Sequence, residues 1–81
     1  MQNKEKIIQI LSTYLKSELD VEFTSDLLNS QIQDVGINSI TYIKLLVTFE
    51  NEFDFEFDDE ILVITAFPTI QEMIEYISEK I

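Results

Sequence analysis

The stretch INSITYIKLLVTFENEF, residues 37–53, decides how the rest of the chain is read. Tyr42, Leu45, Leu46, Phe49 and Phe53 recur at helical spacing, which predicts a helix from Ser39 to about Phe53 with one apolar face toward a core. Ile40, Ile43 and Val47 form a second apolar stripe, turned from the first by roughly a third of a circle or more at about 3.6 residues per turn. A helix that is apolar on two faces is either sandwiched in a core or offers one face to a partner. Asn38 and Ser39 stand where this helix begins, and either residue type can cap it. Gly36, the only glycine of the chain, lies just upstream, where it lets the backbone turn tightly and leaves the serine unshielded.

Working outward toward the N-terminus, Ile7, Ile8, Leu11, Tyr14 and Leu15 predict a first amphipathic helix from about Asn3 to Lys16. Ser17 to Asn38 shows no sustained period. It is polar but punctuated by Val21, Phe23, Leu27, Leu28, Ile32, Val35 and Ile37, the pattern of an ordered loop pinned to a core. A loop of this length in a compact domain is usually functional. On the other side, FDFEFDDEILVITAF (residues 53–67) alternates Phe with acids as a strand would. A lone strand among helices has no partner, so the segment reads as a loop with apolar anchors. A short helix follows around Asp58 to Val63, with its acids at the favourable N-terminal end. After Pro68, Thr69-Ile70-Gln71-Glu72 is a capping box, and Ile70, Met73, Ile74, Ile77 and Ile81 give the last helix its core stripe. The expected fold is all-α: a small four-helix bundle of three longer helices and one short one, in a single domain spanning residues 1–81.

Composition excludes several classes of function. Hydrophobic residues make up 46% of the chain, which argues against disorder in spite of a formal net charge of −11. Five lysines face sixteen acids, with no Arg and no His, so there is little with which to displace counterions from nucleic acid or to approach an anionic membrane. Lys44 is the only cation between Ser17 and Glu79, and Glu50 to Glu60 carries seven acids and no base. That run is either a solvated face or a docking surface for basic partners. Without Cys there is no disulfide and no thiolate ligand, which suits a reducing compartment. The N-terminal segment lacks the apolar core of a signal peptide, and no apolar run reaches the span of a bilayer. The expectation is a cytoplasmic, soluble monomer.

Catalytic and metal constellations are also missing. Without His or Cys most acid–base and nucleophilic arrangements are excluded, and one central lysine makes a Ser–Lys arrangement improbable. A calcium loop starting at Asp54 puts Asp59 where the sharp turn needs Gly and Thr65 where a bidentate Glu belongs. One glycine cannot make a phosphate-binding Gly-rich loop. No catalytic residue and no metal site are expected.

With these exclusions made, DVGINSI (residues 34–40) resembles the modification motif of the acyl and peptidyl carrier proteins, in which a Gly, a variable residue, Asp, Ser and an aliphatic residue follow one another. The resemblance extends over nearly the whole chain. It takes in the first helix, the long loop, the second helix ending in Glu50, Glu52 and Phe53, the short acidic helix and the Thr-capped last helix FPTIQEMIEYI.

The resemblance implies a non-catalytic carrier. Ser39 would bear 4′-phosphopantetheine, derived from coenzyme A, through a phosphodiester, and the arm's thiol would hold an acyl or aminoacyl group as a thioester. Gly36 and Asn38 would complete the motif, and Ile40, Ile43, Lys44 and Val47 would form the partner face. The implied partners are a phosphopantetheinyl transferase, an acyl- or aminoacyl-loading enzyme, and downstream synthases or transferases of a fatty-acid, polyketide or nonribosomal-peptide pathway.

Two residues depart from the family pattern. Asn38 stands where most members have an Asp that the transferase commonly uses near its metal ion, which bears on which transferase loads the chain. Lys44 stands where many members carry an acid, which points to a partner unlike the usual fatty-acid enzymes. The region from Asp58 to Phe67 is slightly longer than in fatty-acid carriers, a lean toward a dedicated carrier of the aminoacyl or peptidyl kind. The chain's end soon after the last helix suggests a stand-alone protein, with an excised domain as the alternative. The competing expectation is an unmodified helical interaction module that binds partners through the same stripe.

Overall fold

The computed structural model describes residues 2–81, with side chains from Lys4 onward. Three α-helices, α1 (Gln2–Leu19), α2 (Ser39–Phe53) and α3 (Ile70–Lys80), are joined by segments holding three short 3-10 turns, Ser25–Asn29, Gln33–Val35 and Asp59–Leu62. No strand occurs among the described residues, and the all-α bundle is as expected. Each helix turns its apolar stripe inward. Ile7, Leu11 and Leu15 of α1 meet Tyr42, Leu45, Leu46 and Phe49 of α2 and Ile70, Met73, Ile74 and Ile77 of α3. Among the described residues no polar or charged residue is buried, so none of the many carboxylates sits in the core.

The ends of the helices show why boundaries were harder to read than stripes. α1 runs to Leu19, past the expected stop at Lys16, because termination falls to Asp20, which enters the left-handed region at φ 56°. The amides of Asp20 and Val21 close there on the carbonyls of Lys16 and Leu15. α2 has the expected span and ends in the same way, with Asp54 at φ 56° and its amide bonded to the Glu50 carbonyl. Aspartate is among the few residues other than glycine that tolerate this conformation.

The long loop is pinned as expected, with Ile32, Val35 and Ile37 buried and Val21, Phe23, Leu27 and Leu28 packed partly against the core. It also contains two 3-10 turns that no sequence period announced, and the Ile70 amide donates to the Ser30 carbonyl at 3.1 Å, tying the loop to the start of α3.

The expected short helix from Asp58 to Val63 is corrected to a single 3-10 turn, Asp59–Leu62, with Asp58 and Val63 as its flanking caps. Four residues are too few to build a repeating α-helical ladder, and the tighter i→i+3 closure is the form short pieces adopt. Phe57 is buried beside this turn, its amide bonded to the Glu50 carboxylate at 2.9 Å. At α3 the Thr69 hydroxyl accepts the Glu72 amide at 3.2 Å, while the Thr69 amide does not donate back to the Glu72 carboxylate. Ile81 lies one residue beyond α3 rather than in its stripe, half-buried against the core.

Candidate functional site

The turn Gln33–Val35 ends at Gly36, whose φ of 98° lies in the left-handed region and whose amide bonds to the Gln33 carbonyl at 3.1 Å. A side chain here would meet nothing within 4 Å, so glycine is required by the backbone conformation and not by crowding. The turn sends Ile37 into the core and brings Asn38 and Ser39 out to the surface.

Asn38 is the cap of α2. Its backbone is extended, its Oδ1 accepts the Thr41 amide at 2.8 Å, and its carbonyl accepts the Tyr42 amide at 2.8 Å. Ser39 is therefore the first helical residue. It is exposed, and its hydroxyl makes no hydrogen bond within the described residues. The amides of Ser39 and Ile40 remain free at the positive end of the helix dipole, a setting that favours a phosphate group. With no His in the chain, no imidazole stands beside this serine to activate it.

Two tyrosine hydroxyls tie this end of α2 to other elements. The Tyr14 hydroxyl of α1 donates to the Thr41 carbonyl at 3.1 Å, and the Tyr42 hydroxyl donates to the Ile61 carbonyl of the third 3-10 turn at 2.5 Å. Burial raises the pKa of Tyr14, with the nearby Glu18 charge adding to it. Burial pushes Tyr42 up to about 12, with Tyr76 contributing. Both hydroxyls are thus firmly protonated donors at neutral pH. Sequence reasoning placed Tyr14 and Tyr42 in core stripes but gave their hydroxyls no role. The available signal was that a buried tyrosine hydroxyl almost always needs a partner.

The second stripe of α2 faces outward. Ile40 is 70% exposed, Ile43 37% and Val47 45%, with Lys44 exposed among them. Ser39, Ile43 and Val47 are spaced four residues apart and so form one row down the helix. The structure thus brings Gly36, Asn38 and Ser39 together at the start of α2, with Ile40, Ile43, Lys44 and Val47 along the surface below. A groove of about 510 Å³ between α1 and α2, lined in part by Tyr14, Thr48 and Glu52, opens elsewhere. Thr48 is nine residues on from Ser39, about half a turn away around the helix. Among the described residues no group of three or more Asp or Glu side chains is placed to hold a metal, and no helix is long and apolar enough to cross a membrane.

The family model for the phosphopantetheine attachment site matches residues 5–77. No solved structure matches the chain.

Proposed function

The chain belongs to the phosphopantetheine attachment site family, whose members are non-catalytic carriers of covalent 4′-phosphopantetheine, and from that premise we propose that Ser39 is the residue that bears the arm. The observation that carries this reading is the division of labour at the start of α2. Asn38 takes the capping role, which leaves the Ser39 hydroxyl exposed and unbonded within the matched span. The residues present fit the group: free amides and the helix dipole lie beside a primary alcohol that is open to an enzyme.

The role of each residue follows from its place. Ser39 supplies the oxygen of the phosphodiester. Gly36 turns the loop so that the serine projects from the surface. Asn38 keeps the first turn of α2 intact while the serine is modified, and Ile40, Ile43, Lys44 and Val47 present the face that enzymes meet. When attached, phosphopantetheine supplies a terminal thiol that holds an acyl or aminoacyl group as a thioester. The family implies a phosphopantetheinyl transferase and pathway enzymes as partners. More specifically, we propose one carrier domain over residues 1–81, served by an acyl- or aminoacyl-loading enzyme and by downstream synthases or transferases of a fatty-acid, polyketide or nonribosomal-peptide pathway.

Intact mass spectrometry after incubation with coenzyme A and a broad-specificity phosphopantetheinyl transferase tests the assignment. The wild type is expected to gain one phosphopantetheine and Ser39→Ala none. Modification at Ser12, Ser17, Ser25, Ser30 or Ser78 would overturn it. A wild type that stays unmodified would return the exposed stripe to the role of an unmodified interaction module.

A further inference from the structure

Among the described residues, the exposed large apolar side chains are confined to two elements. Ile40, Ile43 and Val47 lie on α2, and Leu62 and Val63 lie at the end of the third 3-10 turn, at 39% and 57% exposure. The Tyr42–Ile61 hydrogen bond holds that turn against α2. Lys44 stands within the α2 part of this surface, one turn from Ile40 on one side and Val47 on the other. Its other one-turn neighbours, Thr41 and Thr48, are neutral, and no acid precedes Glu50 in α2. Among the described residues the ion pairs are both made by Lys16, so Lys44 is unpaired in a chain of net charge −11. Acids follow in α2 only from Glu50 onward, while Asp59 and Glu60 lie in the turn that Tyr42 holds against the helix, and Asp34 precedes Gly36. Among the described residues Lys44 is therefore the single cation of α2, and the charges on the segments around it are acidic.

We propose that the phosphopantetheinyl transferase that loads this chain covers the outer face of α2 with an apolar depression and sets a carboxylate against Lys44. The proposal rests on Ser39 as the attachment residue, since an enzyme that reaches that hydroxyl also covers its neighbours in the row through Ile43 and Val47. Covering those side chains covers Lys44 as well, and an ammonium removed from water without a counter-charge opposes binding. A carboxylate on the enzyme offsets that penalty. It also fixes the docking position, because a carboxylate displaced from Lys44 would meet no other cation on α2 and would approach the acids of the neighbouring segments. A second copy of the chain is a poorer occupant, since it would bring two surfaces of net charge −11 together.

The test is the rate of loading by the phosphopantetheinyl transferase of the cell that makes this chain, with coenzyme A as donor. Lys44→Glu is expected to lower kcat/KM by about fivefold to tenfold, mainly through KM, with the loss shrinking as salt is added. Lys44→Arg should load like the wild type, and Lys44→Met, which keeps the apolar stem, should fall between. Lys44→Glu loading as fast as the wild type, or faster, would overturn the proposal, because the enzyme's rim would then be neutral or basic. If Lys44→Glu fails to fold, Lys44→Met decides, and unchanged loading of that variant overturns the proposal equally. Sedimentation showing a dimer that Ile43→Ser dissolves would give the face to a second copy. A wild type that gains no mass from this transferase or from a broad-specificity one would instead overturn the Ser39 assignment, so the two failures are distinct.

Discussion

Replacing Asn38 and Ser39 by alanine, one at a time, separates a structural role from a chemical one at adjacent positions. Asn38→Ala removes the acceptor of the Thr41 amide, a 2.8 Å bond at an exposed helix start. Water partly replaces that bond, so the expected loss is about 1 kcal/mol, the middle of the range for losing an N-cap. In a domain of this size each kcal/mol moves Tm by roughly 4–8 °C. Ser39→Ala removes no hydrogen bond made within the described residues. It also introduces a better helix former at the first helical position, a gain of at most about 0.5 kcal/mol.

The two variants should therefore melt at least about 4 °C apart, with Ser39→Ala at or slightly above the wild type. Loading should rank them in the opposite order. Asn38→Ala keeps the attachment oxygen and gains mass with coenzyme A and a transferase, whereas Ser39→Ala gains none. Thermal melts by circular dichroism and intact mass spectrometry on the same samples provide both readings. A Ser39→Ala protein that melts as early as Asn38→Ala would make the serine the cap and refute the assignment of roles. A Ser39→Ala protein that still takes up phosphopantetheine would refute the attachment site.

The remaining expectations concern the scaffold that holds this site. Leu46→Ala and Phe49→Ala empty fully packed core positions and should each lose about 2–5 kcal/mol, whereas Ile43→Ser and Val47→Ser on the exposed stripe should stay within about 0.5 kcal/mol of the wild type in denaturant titration. Gly36→Ala forces a Cβ into the left-handed region and should be destabilised by about 1–2 kcal/mol, with Gly36→Asn less affected; equal stability of wild type and Gly36→Ala would contradict the positive φ. Tyr42 binds its proton up to about pH 12 when folded, against 10.0 for an ordinary tyrosine, so its contribution is complete below pH 10 and is lost as pH rises toward 12. Tyr42→Phe should lack that alkaline loss, which a series of melts across this interval would reveal. Added salt should raise Tm in a graded way by screening the net charge of −11, and divalent cations should do so more strongly; a sharp stoichiometric calcium transition would contradict the rejection of a calcium loop at Asp54.

Local, repeated signals made much of this fold legible from residue order. Tyr42, Leu45, Leu46 and Phe49 set the inward face of α2, and Ile70, Met73, Ile74 and Ile77 did the same for α3, because a helix of fixed pitch converts spacing into direction. The apolar residues punctuating the long loop likewise marked where it would be anchored. The candidate site was legible for a related reason: one glycine, then Asn38 and Ser39, immediately before a strong stripe, leaves few places where such a helix can start. What residue order left open were choices between near-equal local options. Asn38 and Ser39 are both good caps, and the choice went to Asn38 because the left-handed turn at Gly36 and the burial of Ile37 leave Asn38 with extended backbone and Ser39 already helical. The direction of the second stripe depended on distant contacts, Tyr14 tying α2 to α1 and Tyr42 tying it to the third 3-10 turn. Those hydrogen bonds join residues 27 and 19 positions apart, beyond the reach of any local period, so only the packed tertiary structure could decide that Ile40, Ile43 and Val47 face outward.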